Sequence, residues 1–237
     1  TRWSMGVRNQ PILRSLLATK YAFTKANVQN FQNQGYIPIK TFNNVTVLKN
    51  NFYVPLGVAH DKYILYDDFK KLNVSKRHIS MMKAIVLTSN QANKYPELQQ
   101  LDLSSFDANY ESTEYANDVN TLRLDSLAII EVNKPDNKIV GTVSLEKPKM
   151  LFFSIPYNKG WEVSINEQMS SMEVVDIGMM GVMLPKGTHK VSLQYHMPNR
   201  MVGIIVMLFV FAAFLALIGW QYRSQVTNSI WLYTGLG

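Results

Sequence analysis

Met201–Trp220, MVGIIVMLFVFAAFLALIGW, constrains this chain more than any other stretch, because its twenty residues include no ionisable side chain. At about 1.5 Å rise per residue, a helix of that length spans roughly 30 Å, the thickness of a bilayer's hydrocarbon core. Arg200 stands at one end and Gln221, Tyr222 and Arg223 at the other, where interfacial side chains belong. A helix buried in a soluble domain normally keeps a polar stripe, and this one has none. The expectation is a membrane helix over 200–223 and a short tail over 224–237. Ala212, Ala216 and Gly219 share one helical face, a pattern that lets another backbone approach closely. Expected partners are therefore the lipid bilayer and a further helix packed on that face, from the same polypeptide, another copy or another protein.

The first 200 residues suffice for one large or two small folded domains. The chain opens on Thr1 with no basic stretch leading into an apolar one, so either a signal peptide has been removed or this is a piece of a longer protein. Cysteine is absent, so disulfides, thiolate metal sites and cysteine nucleophiles are excluded. The net charge of +7 is unevenly placed. Glu97–Asp118 carries six acids and no Lys or Arg. Beyond Asp176 there is no acid, while Lys186, Lys190, Arg200 and Arg223 remain, which suits anionic headgroups or an anionic surface polymer and equally a solvated face that happens to be basic. Nucleic acid is not an expected partner, since no dense Lys/Arg stripe is present.

Along the chain, Pro11 opens an apolar pattern at Ile12, Leu13, Leu16 and Leu17 that predicts a helix. Tyr21 and Phe23 alternate with polar neighbours as a short strand would. Gly35–Leu48 reads as a hairpin with Asn43-Asn44 at its tip. Helices are predicted over Tyr66–Leu72 and Ser75–Leu87, the second capped by Ser75, and Asn90–Tyr115 reads as a long polar loop. From Asn120 the period becomes two, starting with Leu122, Leu124 and Leu127. Strand-like segments then follow at 139–145, 150–155, 161–165, 173–177, 179–184 and 188–195, separated by Gly, Pro and Asn. That spacing argues for an antiparallel β-sandwich, joined to the membrane helix by a short connector that keeps it near the lipid. The predicted class is α+β: a mixed α/β segment over 1–115, a β-sandwich over 116–199, and one C-terminal transmembrane helix.

Catalytic motifs are missing. The sequence has no P-loop, dinucleotide fingerprint, GxSxG elbow or HExxH. His60, His78, His189 and His196 are scattered without metal-ligand spacing, and no cofactor or metal is expected. One turn stands out: Ile155-Pro156-Tyr157-Asn158-Lys159-Gly160-Trp161, with Gly160 free to take positive φ. Tyr157, Lys159 and Trp161 around it are candidate substrate-binding residues. The rings offer apolar faces to sugar C–H groups, and the lysine offers a point charge to phosphate. The competing reading places Trp161 in the sandwich core.

The run from Pro156 to Trp161, then Gly181, Leu184-Pro185-Lys186-Gly187-Thr188-His189, Tyr195, Pro198 and a terminal apolar helix resemble the C-terminal end of the YfhO family of bacterial membrane proteins. Leu16-Leu17-Ala18-Thr19-Lys20-Tyr21 and Pro55-Leu56-Gly57 resemble landmarks further upstream in that family. The resemblance implies a polytopic protein similar to GT-C glycosyltransferases, which transfer sugar from a polyprenyl phosphate carrier to a cell-surface polymer such as lipoteichoic acid. This chain would be its extracytoplasmic accessory region plus the last membrane helix, at the cell membrane, and the resemblance implies that this helix packs on earlier membrane helices of the same polypeptide. The catalytic loop would lie outside this sequence, so no catalytic residue is carried over. The rival reading is a non-catalytic, membrane-anchored surface module that binds carbohydrate or protein. Two departures bear on structure: Asn166-Glu167 stands where the family has an Asp-Gly turn, and Ala18 where glycine is usual. Lys186, Lys190 and Arg200 against Arg223 count toward a cytoplasmic domain, but large folded domains translocate regardless of such charges.

Overall fold

A computed structural model describes residues 7, 10–25, 27–104 and 110–234, and of 224–234 the backbone only. In chain order the elements begin with α1 (Pro11–Leu16), β1 (Tyr21–Thr24), α2 (Val28–Gln32), β2 (Tyr36–Phe42) and β3 (Val45–Asn50). Next come β4 (Gly57–His60), β5 (Lys62–Leu65), α3 (Tyr66–Lys71), α4 (Val74–Lys83), β6 (Ile85–Leu87), α5 (Ser89–Lys94), β7 (Gln99–Gln100) and α6 (Ser112–Leu124). The remainder is β8 (Ala128–Asn133), β9 (Lys138–Leu145), β10 (Lys149–Pro156), β11 (Trp161–Ile165), β12 (Gln168–Ser170), β13 (Glu173–Val175), β14 (Met179–Leu184), β15 (Gly187–Tyr195) and α7 (Arg200–Thr234).

The fold is α+β, and its middle layer is the sheet β13-β14-β10-β4. Strand β10 explains the layering. Its alternating side chains serve two cores: Met150 and Phe152 face the helices with Leu16, Met82, Tyr115, Val119 and Leu122. Leu151 and Phe153 face the second sheet, β12-β11-β15-β9-β8, with Val143, Val163, Val191 and Leu193. These two antiparallel sheets make the expected sandwich. The last strand alternates as its sequence predicts, with His189, Val191 and Leu193 buried and Lys190 exposed. Close packing at its neighbour requires glycine, since a Cβ on Gly141 would stand 2.7 Å from the Leu127 side chain and 2.8 Å from the Ala128 carbonyl oxygen.

Strand β4, from the 1–115 segment, pairs with β10 of the 116–199 segment, and Thr1–Tyr195 is one compact unit. Within this unit, the parallel sheet β6-β5-β7 is tied to the chain after β13 through Asp176. The Val86 N–H donates to Asp176 Oδ1 at 2.6 Å, and the Asp176 N–H donates to the Val86 carbonyl at 3.2 Å. Asp176 is buried, and desolvation pushes its carboxyl up to about 7, against the lowering effect of the Val86 hydrogen bond.

Several sequence expectations need correction. Helix α4 is capped by Asn73, whose side chain accepts from the Lys76 N–H at 2.9 Å, and not by Ser75. It stops at Lys83 because Ala84 is extended, and the β-branched pair Ile85-Val86 starts a buried strand instead of a last helical turn. The expected loop Asn90–Tyr115 contains most of α5, which opens on a Thr88–Gln91 capping box, then β7 and the start of α6; residues 105–109 lie outside the described residues. Leu122 and Leu124 belong to α6, where Tyr115, Val119 and Leu122 make a buried helical stripe and Leu124 is 84% exposed. Asn166 and Glu167 both take positive φ, 50° and 72°, so they form a tight two-residue hairpin turn of the kind an Asp-Gly pair makes. Ala18 has φ 53° just after α1, which explains what glycine offers there: left-handed backbone, not close approach.

The second unit, His196–Gly237, is mostly α7. Arg200–Arg223 is long and apolar enough to cross a membrane. The helix continues through Thr234, beyond the expected boundary at 223, because no Gly or Pro interrupts 221–234.

Candidate functional site

A polar cleft of about 470 Å³ opens between α4, α6 and the β4 edge of the middle sheet. Helix α6 supplies one wall through its period: Glu114, Asp118 and Thr121 follow one another by four and three residues, and Asp125 lies four further on. Lys83 of α4 reaches across to Glu114 at 2.9 Å and Asp118 at 2.8 Å. Burial works to lower the Lys83 ammonium's pKa, but hydrogen bonds to the two carboxylates outweigh it and the net shift is upward. The Tyr110 hydroxyl donates to Asp118 Oδ2 at 2.7 Å, and burial beside that carboxylate raises the phenol.

The opposite wall comes from the strands. Lys149, at the start of β10, pairs with Asp125 at 2.5 Å, their side chains only 11% and 18% exposed. Asp61, in the tight link between β4 and β5, pairs with Lys147 at 2.5 Å. Burial tends to raise Asp61, yet the Lys147 hydrogen bond and charge carry it below its ordinary value. His60 lines the cleft at 3% exposure, and its Nε2 has no hydrogen-bond partner among the described residues. Desolvation lowers its pKa to about 4, so the imidazole is neutral at physiological pH.

Four carboxylates (Asp61, Glu114, Asp118, Asp125) and three ammonium groups (Lys62, Lys83, Lys149) thus line one cavity. Their charges nearly cancel, so the cleft suits a polar, uncharged ligand rich in hydroxyls. Among the described residues no group of His, Cys, Asp and Glu could hold a metal ion. The Thr121 hydroxyl donates to the Asn117 carbonyl and has no base beside it. The arrangement offers carboxylates that accept from, and ammonium groups that donate to, a hydroxyl-bearing ligand.

The residues singled out from sequence lie elsewhere. Trp161 is half-buried at the edge of the sandwich core, its ring 5.1 Å from that of Tyr195. The pair lines a shallow groove of about 290 Å³ flanked by Lys134 and Lys138. Tyr157 is 41% exposed and Lys159 is exposed, both in the turn before Trp161 and neither lining that groove. Gly160 does not take positive φ. The turn is tight because the Asn158 side chain accepts from the Gly160 N–H at 2.9 Å and its carbonyl from the Trp161 N–H at 3.0 Å. Being only half-buried, Trp161→Ala is expected to cost about 2 kcal/mol, short of the ~3–5 kcal/mol of a fully enclosed Trp. Thermal melts of the detergent-solubilised chain check this.

The cleft escaped the sequence reading for a definite reason. Glu114 and Asp118 were legible only as part of a solvated acidic loop, and His60 as one scattered histidine. The available signal was the helical spacing of Glu114, Asp118 and Thr121 alongside Tyr115, Val119 and Leu122.

A sequence model for the family described as bacterial membrane protein YfhO matches residues 2–123 and 99–207, together most of the chain. A relative described as uncharacterized protein YfhO, from Bacillus subtilis (strain 168), is 30% identical over 78 residues. That stretch is 33% of this chain and 9% of the relative, which is therefore far longer than the region compared. No solved structure matches.

Proposed function

The chain belongs to the YfhO family of bacterial membrane proteins, and from that premise we propose that it is the sugar-holding accessory region of a glycosyltransferase-like membrane protein. The family and the apolar helix fit membrane association. In this reading the folded unit is extracytoplasmic. The whole protein transfers sugar from a polyprenyl phosphate carrier to a surface polymer such as lipoteichoic acid.

The observation that carries the reading is the cleft: a cavity of monosaccharide-to-disaccharide size, with carboxylates to accept from hydroxyls and lysines to donate. The accessory region binds and orients, and chemistry belongs to the rest of the protein. Tyr157, Lys159 and Trp161 then face the acceptor polymer, with Lys134 and Lys138 beside Trp161 available to its phosphates.

The test uses Thr121→Trp. Thr121 is exposed at the cleft lining, so an indole there fills the cavity without cutting into the core. In cells whose only full-length copy carries this substitution, surface-polymer glycosylation should fall about tenfold or more, equivalent to ~1.4 kcal/mol of lost binding. Its membrane level should stay unchanged. Unaltered glycosylation at a normal protein level would contradict the reading.

A further inference from the structure

The charge of this chain has a sharper asymmetry than its acidic segment suggests. Residues 1–60 contain no Asp or Glu, and their seven Lys and Arg equal the whole net charge of +7; residues 61–237 are balanced. This acid-free stretch builds the small antiparallel sheet β1-β3-β2.

Residues paired directly across strands share a face, so register shows what that face carries. One rank is Tyr21, Lys49 and Ile37; the next is Phe23, Val47 and Lys40; Phe42 follows opposite Val45. Leu48 and its neighbours occupy the other face, where Leu48 is fully buried. The outward face is therefore apolar and aromatic, with Tyr21 47%, Phe23 70%, Ile37 53% and Phe42 56% exposed. Lysines are threaded through it. Lys40 Nζ lies 4.8 Å from the Phe42 ring centre and Lys20 Nζ 5.7 Å from that of Tyr21. Water alone gives no reason for such a face.

We infer that the outward face of β1-β3-β2 docks on an anionic lipid surface. Aromatic and aliphatic groups enter the boundary between headgroups and acyl chains, while lysines lie along them with their ammonium ends among lipid phosphates. The absence of acid throughout residues 1–60 removes the repulsion that a mixed-charge surface would meet there. A protein covering this face would have to supply every acid itself, whereas an anionic bilayer presents acids and an apolar layer together.

The chain lacks cysteine, so single-cysteine variants of the full chain accept one fluorescent probe cleanly. Asn44→Cys labels the exposed hairpin tip, and Leu124→Cys, at a position 84% exposed, serves as control. The labelled chain is placed in nanodiscs of phosphatidylcholine alone or mixed with phosphatidylglycerol, with spin-labelled lipid as quencher. Lipid quenching of the probe at 44, but not at 124, is expected in the anionic discs. Each Lys→Gln change at 20, 40 or 49 should weaken that state on the order of fivefold, and high salt should abolish it. Equal quenching in both lipids, no quenching in either, or shielding from water without lipid quenching would each overturn the proposal. The last of these would mean that protein covers the face.

Discussion

Asp125→Ala will lower the stability of the folded unit by about 3–5 kcal/mol, the cost of stranding one member of a buried ion pair. Lys149 begins β10, the strand between the two cores, and only 11% of its side chain is exposed. Without the Asp125 carboxylate its ammonium loses its counter-charge at 2.5 Å, and with 11% of the side chain exposed the cleft hydrates it only in part. At roughly 2–4 °C per kcal/mol for a unit of this size, the melting temperature should drop on the order of 6–20 °C. Adding Lys149→Met removes the stranded charge and should restore most of the loss, since replacing both partners by apolar groups is close to neutral. A double-mutant cycle by thermal denaturation in detergent checks both expectations. A single-variant loss below about 1 kcal/mol, the size of an exposed pair, would mean that the cleft hydrates Lys149 freely.

The second large effect is a pH dependence set by Asp176. Its carboxyl titrates near 3.8 when unfolded and is pushed up to about 7 by burial in the fold. Below about pH 4 it is protonated in both states and costs nothing. Between about 4 and 7 the unfolded chain releases the proton and the folded chain keeps it, so folding stability falls as pH rises. Above 7 the loss is complete and amounts to at most about 4 kcal/mol. Asp176→Asn keeps an oxygen to accept the Val86 N–H but has no proton to lose. The stability difference between variant and parent should therefore grow in the variant's favour from pH 4 to pH 7 and then level off. Subtracting the two profiles cancels other groups, His60 among them. A constant difference would show that Asp176 ionises in the fold as readily as in water.

What the sequence made legible follows from the strength of each local signal. The membrane helix rests on twenty residues without a charge, and the sandwich on short strands with Gly, Pro and Asn between them; neither needs tertiary context. The hairpin tip at Asn43-Asn44 was equally readable, and Asn43 has φ 52°. Signals failed where one short segment fits two periods. Ile85-Val86-Leu87 continues the apolar stripe of α4 on paper, yet its β-branched pair lies beside β5 in a parallel sheet. Leu122, Leu124 and Leu127 mimic period two, although Leu122 completes the buried stripe of α6. Losing α6 meant losing the cleft, because the helix is what aligns Glu114, Asp118 and Thr121. Trp161 was visible as an aromatic beside a turn; its companions Tyr195, Lys134 and Lys138 arrive from β15, the β8–β9 turn and the start of β9, joined only by strand pairing.

The most direct test of the central claim is whether the cleft holds a sugar. Saturation-transfer NMR on the purified full chain in detergent, with methyl glucoside, methyl galactoside and methyl N-acetylglucosaminide as probes, reads it without any turnover. The account predicts transfer to the ring protons of at least one probe, lost in Thr121→Trp and retained in Trp161→Ala. Transfer to none of the three, or transfer that survives Thr121→Trp, would contradict it.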